Sequence, residues 1–160
     1  MIAESITPQD KTFLQRAIEV AHQSVQEGGF PAGAVVVKDG RMIGEGLSLG
    51  FKLHDPTCHA ETVAIREACQ QLKTSDLNGA VLYSSLQPCL MCFSAANWAG
   101  ISSIVFAASK TQEMVSKQYY EGAVNLEKIN EENNRKMVLK AVTELEGAAL
   151  ESVIMWEKLK

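Results

Sequence analysis

Phe13, Leu14, Ala17, Ile18, Ala21 and Val25 recur at the spacing of one helical face, with polar residues between them. Thr7 is placed to cap that helix, Pro8 suits its first turn, Asp10 follows three residues after the cap, and Gly28-Gly29 ends it. Then the pattern changes. Ala34 to Val37 and Arg41 to Gly46 flank Asp39-Gly40, which predicts a hairpin with a tight turn. A loop is expected from Leu47 to Asp55. A second helix is predicted from His59 to about Leu72, with Ala64, Ile65, Ala68, Cys69 and Leu72 inward. Ala80 to Ser85 reads as a strand. Pro88 opens a third helix that reaches about Ala99, with Trp98 expected in the core, and Ser103 to Ala108 is another strand. Thr111 to Tyr120 predicts a short helix and Lys136 to Val142 a last strand. Thr143-x-x-Glu146 reads as a capping box before a final helix whose apolar stripe is Leu145, Ala149, Val153 and Trp156.

A hairpin first and strand–helix alternation afterwards predict an α/β fold. The expected architecture is three-layer α/β/α, a mixed five-stranded sheet with helices on both faces. At 160 residues the chain fits a single domain, 1–160. Hydrophobic residues at 46% and charged residues at 21% exclude a disordered chain. No apolar run is long enough for a membrane span, and MIAESITPQDK has neither a basic nor an apolar leader region. Four cysteines without an export signal suit a reducing cytoplasm, where metal binding or catalysis is the better use of them. The net charge of −4 and the absence of a basic block weigh against a nucleic-acid partner, though a local basic patch is compatible with that total.

Two short clusters lie across this pattern: His59-Ala60-Glu61, and Pro88-Cys89-Leu90-Met91-Cys92. Each alone has a plain structural reading. A histidine at a helix start is commonly a cap or a satisfied core residue. A C-x-x-C can be a redox pair, half of a structural zinc site or buried sulfur. A thioredoxin-like arrangement fits poorly, because there the motif comes early in the chain. Together the clusters suit a metal. Cys89 and Cys92 are three apart and share a helix face. Thiolates are soft ligands, and zinc is the commonest partner of a tetrahedral sulfur and nitrogen set. The start of a helix also favours the thiolate form. His59 supplies a third ligand. Three protein ligands, rather than four, mark a catalytic site with one position kept for water, whose pKa zinc brings to roughly 7. Glu61 projects at a different angle, so it can stand beside that water and carry its proton to a substrate nitrogen. Cys69 reads as packing. Cys58 reads as a small pocket-wall residue or a stray fourth ligand, and His22 and His54 as surface and loop residues.

The stretches PAGAVVVKDGRMIGEG, HDPTCHAETVAIREAC and LQPCLMCFSAANWAGISSIVFAA carry the H-x-E…P-C-x-x-C signature. From about Phe30 to Ala108 the chain resembles the cytidine/deoxycytidylate deaminase superfamily. It resembles the guanine, yeast-type cytosine and tRNA adenosine deaminase branch more than the classical cytidine enzymes. The resemblance implies hydrolytic release of ammonia from a nucleobase ring, a five-stranded sheet between helices, and a homodimer. It implies Zn2+ held by His59, Cys89 and Cys92, protons carried by Glu61, and the backbone N–H of Ala60 against the base. Attack would fall on the carbon bearing the amino group. Glu61 would protonate the adjacent ring nitrogen and then help ammonia leave.

The chain departs from that pattern where relatives read the substrate. Ser48 stands at the position of a base-reading Asn, and a hydroxyl offers no bidentate amide edge. Gln87 stands where Glu is common before Pro-Cys. Guanine deaminases often carry acids in the segment after the fourth strand; here it reads SKQYYEG, where Tyr119 and Tyr120 could stack on a base or pack in the core. Trp156 is core or closes the pocket. The expected substrates are water and a small base, guanine-like first. Alternatives are a tRNA wobble adenosine deaminase, a cytosine deaminase, and a zinc-containing binding protein without turnover.

Overall fold

The computed structural model describes residues 5–160; residues 1–4 of the N-terminal stretch read for a leader lie outside the described residues. The first helix, α1 (Pro8–Gln26), opens on a capping box, with the Thr7 hydroxyl accepting from the Asp10 N–H and Asp10 accepting from the Thr7 N–H. The hairpin follows as β1 (Phe30–Lys38) and β2 (Arg41–Ser48), turning on Asp39 and Gly40, both at positive φ. Then come a single turn α2 (Gly50–Leu53), α3 (Ala60–Leu72), β3 (Val81–Leu86), α4 (Leu90–Trp98) and β4 (Ser103–Ala108). The chain ends with α5 (Gln112–Ser116), α6 (Leu126–Glu132), β5 (Val138–Ala141), a 3-10 turn (Thr143–Leu145) and α7 (Glu146–Lys158). No helix of the described residues is long and apolar enough to cross a membrane.

The five strands form one mixed sheet in the order β2-β1-β3-β4-β5. β1 is antiparallel to β2 and β3, while β3, β4 and β5 run parallel. Cross-strand pairing puts Gly46, Ala34, Ser84 and Phe106 in one row, on the face that α3 covers. Gly44 and Gly46 explain how closely α3 sits there: a Cβ would lie 2.2 Å from the Ala64 carbonyl and 2.1 Å from the Ala60 carbonyl. The first turn of α3 is therefore pressed onto the sheet. α1 takes the opposite face, with Phe13 against Tyr83 and Arg16 bidentate to Glu45.

Several expectations need correcting. The stretch 47–55 is no plain loop, because β2 runs through Ser48 and Gly50 starts a helical turn. Trp98 is 89% exposed rather than core. α4 is mostly apolar, with Ser94 and Asn97 its only polar residues; Cys92, Phe93 and Ala96 take the inside, and Trp98, two residues past Ala96, points away. Leu72 at the end of α3 is likewise exposed. Thr143 does not cap α7: the Val142 N–H is bonded to the Phe106 carbonyl, a 3-10 turn follows at once, and α7 begins without a side-chain cap. The helix expected to reach Tyr120 stops at Ser116, and α6 has no counterpart among the predicted elements.

Asp10 does more than cap. Its carboxylate also accepts from the Tyr83 hydroxyl at 2.9 Å and pairs with Lys140 at 3.3 Å, joining α1 to the central strand and the edge strand. Burial pushes this carboxyl up, but the Thr7 N–H, Tyr83 and Lys140 outweigh it and hold it below the ordinary carboxylate value. A depressed folded pKa contributes stability above the unfolded pKa of about 4 and loses it as pH falls through the folded value. Asp10→Asn is expected to cost about 2–3 kcal/mol in urea denaturation at pH 7, with the difference shrinking below about pH 4.

Candidate active site

His59 sits at the N-cap of α3 with extended backbone, and its N–H is taken by the Thr62 hydroxyl at 3.1 Å. That fixes the main chain and leaves the imidazole to project past the helix end. Cys89 is the N-cap of α4 and Cys92 lies in its first turn. The His59 Nδ1 is 3.5 Å from Cys89 Sγ and 3.6 Å from Cys92 Sγ. Tetrahedral zinc with bonds of about 2.3 Å to sulfur and 2.0–2.1 Å to nitrogen requires these atoms about 3.6 Å apart. The donor set fits zinc in both chemistry and spacing. Hydrogen bonding from Cys92 lowers Cys89 against the effect of burial, while Cys92, giving that bond in a buried position, is pushed up. His59 is raised, chiefly by its hydrogen bond to Cys89. Among the described residues these three form the one group of His, Cys, Asp and Glu side chains close enough to hold a metal. Cys58 is buried outside it and does not line the cavity beside it.

Glu61, in the first turn of α3, is 4% exposed, and its Oε1 accepts from the Ser84 hydroxyl at 2.6 Å. His59, Glu61 and Cys89 open into one cavity of about 1170 Å³ that also reaches Ser48, Tyr119, Tyr120 and Trp156. Three ligand atoms, one buried carboxylate beside them and a cavity wide enough for a heterocycle suit hydrolysis of a ring-bound amine.

The model of the cytidine and deoxycytidylate deaminase zinc-binding region matches residues 7–108 of this chain. The chain belongs to this deaminase family. A guanine deaminase of Bacillus subtilis (strain 168) is 45% identical over 102 residues, covering 63% of this chain and 65% of that protein. A tRNA-specific adenosine deaminase of Aquifex aeolicus (strain VF5) is 41% identical over 96 residues, 60% of this chain and 64% of that protein. The matches thus span less than two thirds of the length of these curated relatives. Among solved structures, one from a study of tRNA:A34 deaminases superposes with a TM-score of 0.76 at 28% identity, covering 89% of this chain and 99% of that one. The mixed five-stranded sheet is the fold of this deaminase family, and zinc is its metal.

Within this family member, the candidates for substrate contact differ in what they have to offer. Ser48 is buried at the end of β2, its main chain tied to the Ser24 hydroxyl. Ala60 has its methyl in the core and offers only its main chain. The Tyr119 hydroxyl donates to Glu157 at 2.5 Å, and burial with that bond pushes it up to about 12. The Tyr120 hydroxyl donates to the Gln87 carbonyl at 2.7 Å, and the ring packs against both cysteines and Met114. Both hydroxyl protons are engaged, so the tyrosines present rings. Trp156 closes an edge-to-face trio with Phe30 and Tyr119, centroids 5.1–5.6 Å apart, and the Lys160 ammonium sits 3.6 Å from its centroid. Phe30, Glu121 and Ser84 join the site without having stood out in the sequence. Glu121 lines the cavity and accepts from the Leu90 N–H, capping α4 from across the site. Its only signal in the sequence is its place beside the two tyrosines.

Proposed function

We propose that the protein releases ammonia from a guanine-like base. The observation that carries this is Glu121: a second carboxylate lines the cavity that holds the His-Cys-Cys group and Glu61. One oxygen accepts from Leu90 at 3.0 Å, and a carboxylate has capacity for further donors. Guanine carries its amino group on a carbon flanked by a ring N–H, a donor such a carboxylate can bind. Adenine has a single ring nitrogen beside its amino carbon, an acceptor without a proton, and would meet repulsion there. The 45% identical guanine deaminase supports the same reading. In this proposal Ser48 and the Ala60 main chain contact the base edge, and the Phe30, Tyr119 and Trp156 rings, with Tyr120, wall it.

His59, Cys89 and Cys92 would hold zinc. Zinc, when bound, supplies water that is nucleophilic at neutral pH. Glu61 takes that water's proton as its oxygen attacks the amino-bearing carbon. The carboxyl then gives that proton to the adjacent ring nitrogen, takes the remaining proton from the hydroxyl now on the carbon and passes it to the amine, so ammonia leaves and a ring carbonyl remains. A homodimer belongs to the proposal, since Trp98 on the outer side of α4 is uncovered in the single chain.

The test is ammonia release by zinc-loaded protein from free bases, nucleosides and pterin-like heterocycles. Guanine is expected to react fastest, and Glu121→Gln to lower its kcat/KM by about 10- to 100-fold through the lost charge-assisted bond. The 41% identical tRNA-specific relative supports a second reading, adenosine in tRNA. Micromolar or tighter retention of labelled tRNA at physiological salt, with no release from free guanine, would replace the first reading with the second. No release from any substrate with zinc present would favour a binding protein.

A further inference from the structure

Ser84 stands at the middle of β3, fully buried, in the row of sheet residues beneath α3. Two oxygens approach its hydroxyl: Glu61 Oε1 at 2.6 Å and the Leu86 carbonyl at 2.7 Å. Both lie within hydrogen-bond range, yet a hydroxyl has one proton to give and two lone pairs to accept with. The proton can swing between the two partners while the oxygen stays in place. That oxygen is well fixed. β3 is the central strand, paired on both edges with β1 and β4, and Leu86 is two residues further along it.

We propose that Ser84 is a positioning residue for Glu61: its hydroxyl ties Oε1 to the central strand and sets where the carboxyl group meets water and ring nitrogen. The inference rests on Glu61 being the proton carrier, as proposed above. Glu61 hangs from the first turn of a helix by three rotatable bonds, and this tether comes from the sheet, a separate and rigid element. Because a hydroxyl both donates and accepts, the contact persists as the carboxyl gains and gives up its proton. A fixed N–H donor in its place would suit only the ionised form. The Ser84 hydroxyl bonds to Glu61 and Leu86 and not to His59, Cys89 or Cys92, so its removal should leave the metal site whole.

Ser84→Ala and Ser84→Thr, made in the full chain and loaded with zinc, test this on whichever base releases ammonia fastest. Ser84→Ala is expected to keep its zinc content and a KM within about two-fold, while kcat falls about 10- to 100-fold, the scale of a misplacement near 1 Å. Ser84→Thr adds a methyl group at a fully buried position, so it should melt below Ser84→Ala. Its restored hydroxyl should nonetheless bring kcat to within about five-fold of the parent. Activity and stability then move in opposite directions between the variants, which a packing role alone does not produce. An unchanged kcat in Ser84→Ala, loss of zinc from it, or a folded threonine variant as slow as alanine overturns the inference. Should the threonine variant not fold, the kcat, KM and zinc content of Ser84→Ala decide. Glu61→Ala run alongside separates the failures. Turnover by that variant sinks the proton-carrier reading itself, whereas an inactive Glu61→Ala beside a fully active Ser84→Ala sinks only the role of Ser84.

Discussion

Glu61→Ala is expected to bind as much zinc as the parent chain and to lose at least about 10³-fold in kcat. General acid–base catalysis by one positioned group is typically worth about 10²–10⁴-fold. In the proposed mechanism one carboxyl group serves the attack, the ring protonation and the departure of ammonia, which argues for the upper half of that range, about 4–5.5 kcal/mol of barrier. Metal content should not change, because among the described residues the three mutually close donor atoms belong to His59, Cys89 and Cys92. Glu61 faces Ser84 instead, buried beneath α3. Metal analysis beside the ammonia assay is the check. Zinc lost together with activity would make Glu61 a ligand and remove the proposed proton carrier. Glu61→Gln should behave in the same way, since an amide keeps the shape but cannot take up the water's proton.

Much of this site is legible in the amino-acid sequence, and the reason is local. His59 and Cys89 act from helix starts, and Cys92 shares a turn with Cys89, so short spacings along the chain determine their directions. The parallel strands and the hairpin are equally legible, because their apolar runs and the Asp39-Gly40 turn are features of contiguous residues. Long-range features are not. Ser84 meets Glu61 across 23 residues, and Glu121 reaches the start of α4 across 31. Neither pairing leaves a periodic trace. Trp98 shows the converse failure: on a mostly apolar helix a tryptophan reads as core, yet it shares the outer side with the polar Ser94 four residues before it. The Thr143 capping box fails because strand pairing at Val142 overrides a local helix signal. In the proposed reading, substrate preference depends on residues of this second kind, brought together by folding rather than by spacing. Sequence similarity does not separate the two substrate classes either: a guanine deaminase and a tRNA-specific adenosine deaminase match this chain at 45% and 41% identity.

Cys92→Ala is expected to abolish zinc retention and with it all measurable turnover, and to erase the stabilising effect of the metal. Cys92 is completely buried behind Cys89, with Tyr120 and Met114 packed around the pair. No other cysteine can stand in: Cys58 lies outside the group, and Cys69 is half-buried on α3. Losing a direct ligand should weaken zinc by more than the roughly 10–100-fold that outer-shell partners are worth. The folding consequence follows by linkage, since a metal bound only by the native state stabilises it by RT ln(1 + [Zn]/Kd). Wild-type protein should therefore melt at a higher temperature with zinc than after chelation, whereas Cys92→Ala should give the same Tm in both conditions. The variant should also melt below the chelated wild type, because removing the sulfur leaves a small cavity in a closed part of the core. Cys92→Ser distinguishes the two effects. It nearly preserves volume but replaces a soft thiolate with a hydroxyl, so it should lose zinc and turnover like the alanine variant. A chelator-sensitive Tm in Cys92→Ala would show that zinc is held elsewhere, and the three-ligand centre would then have to be abandoned.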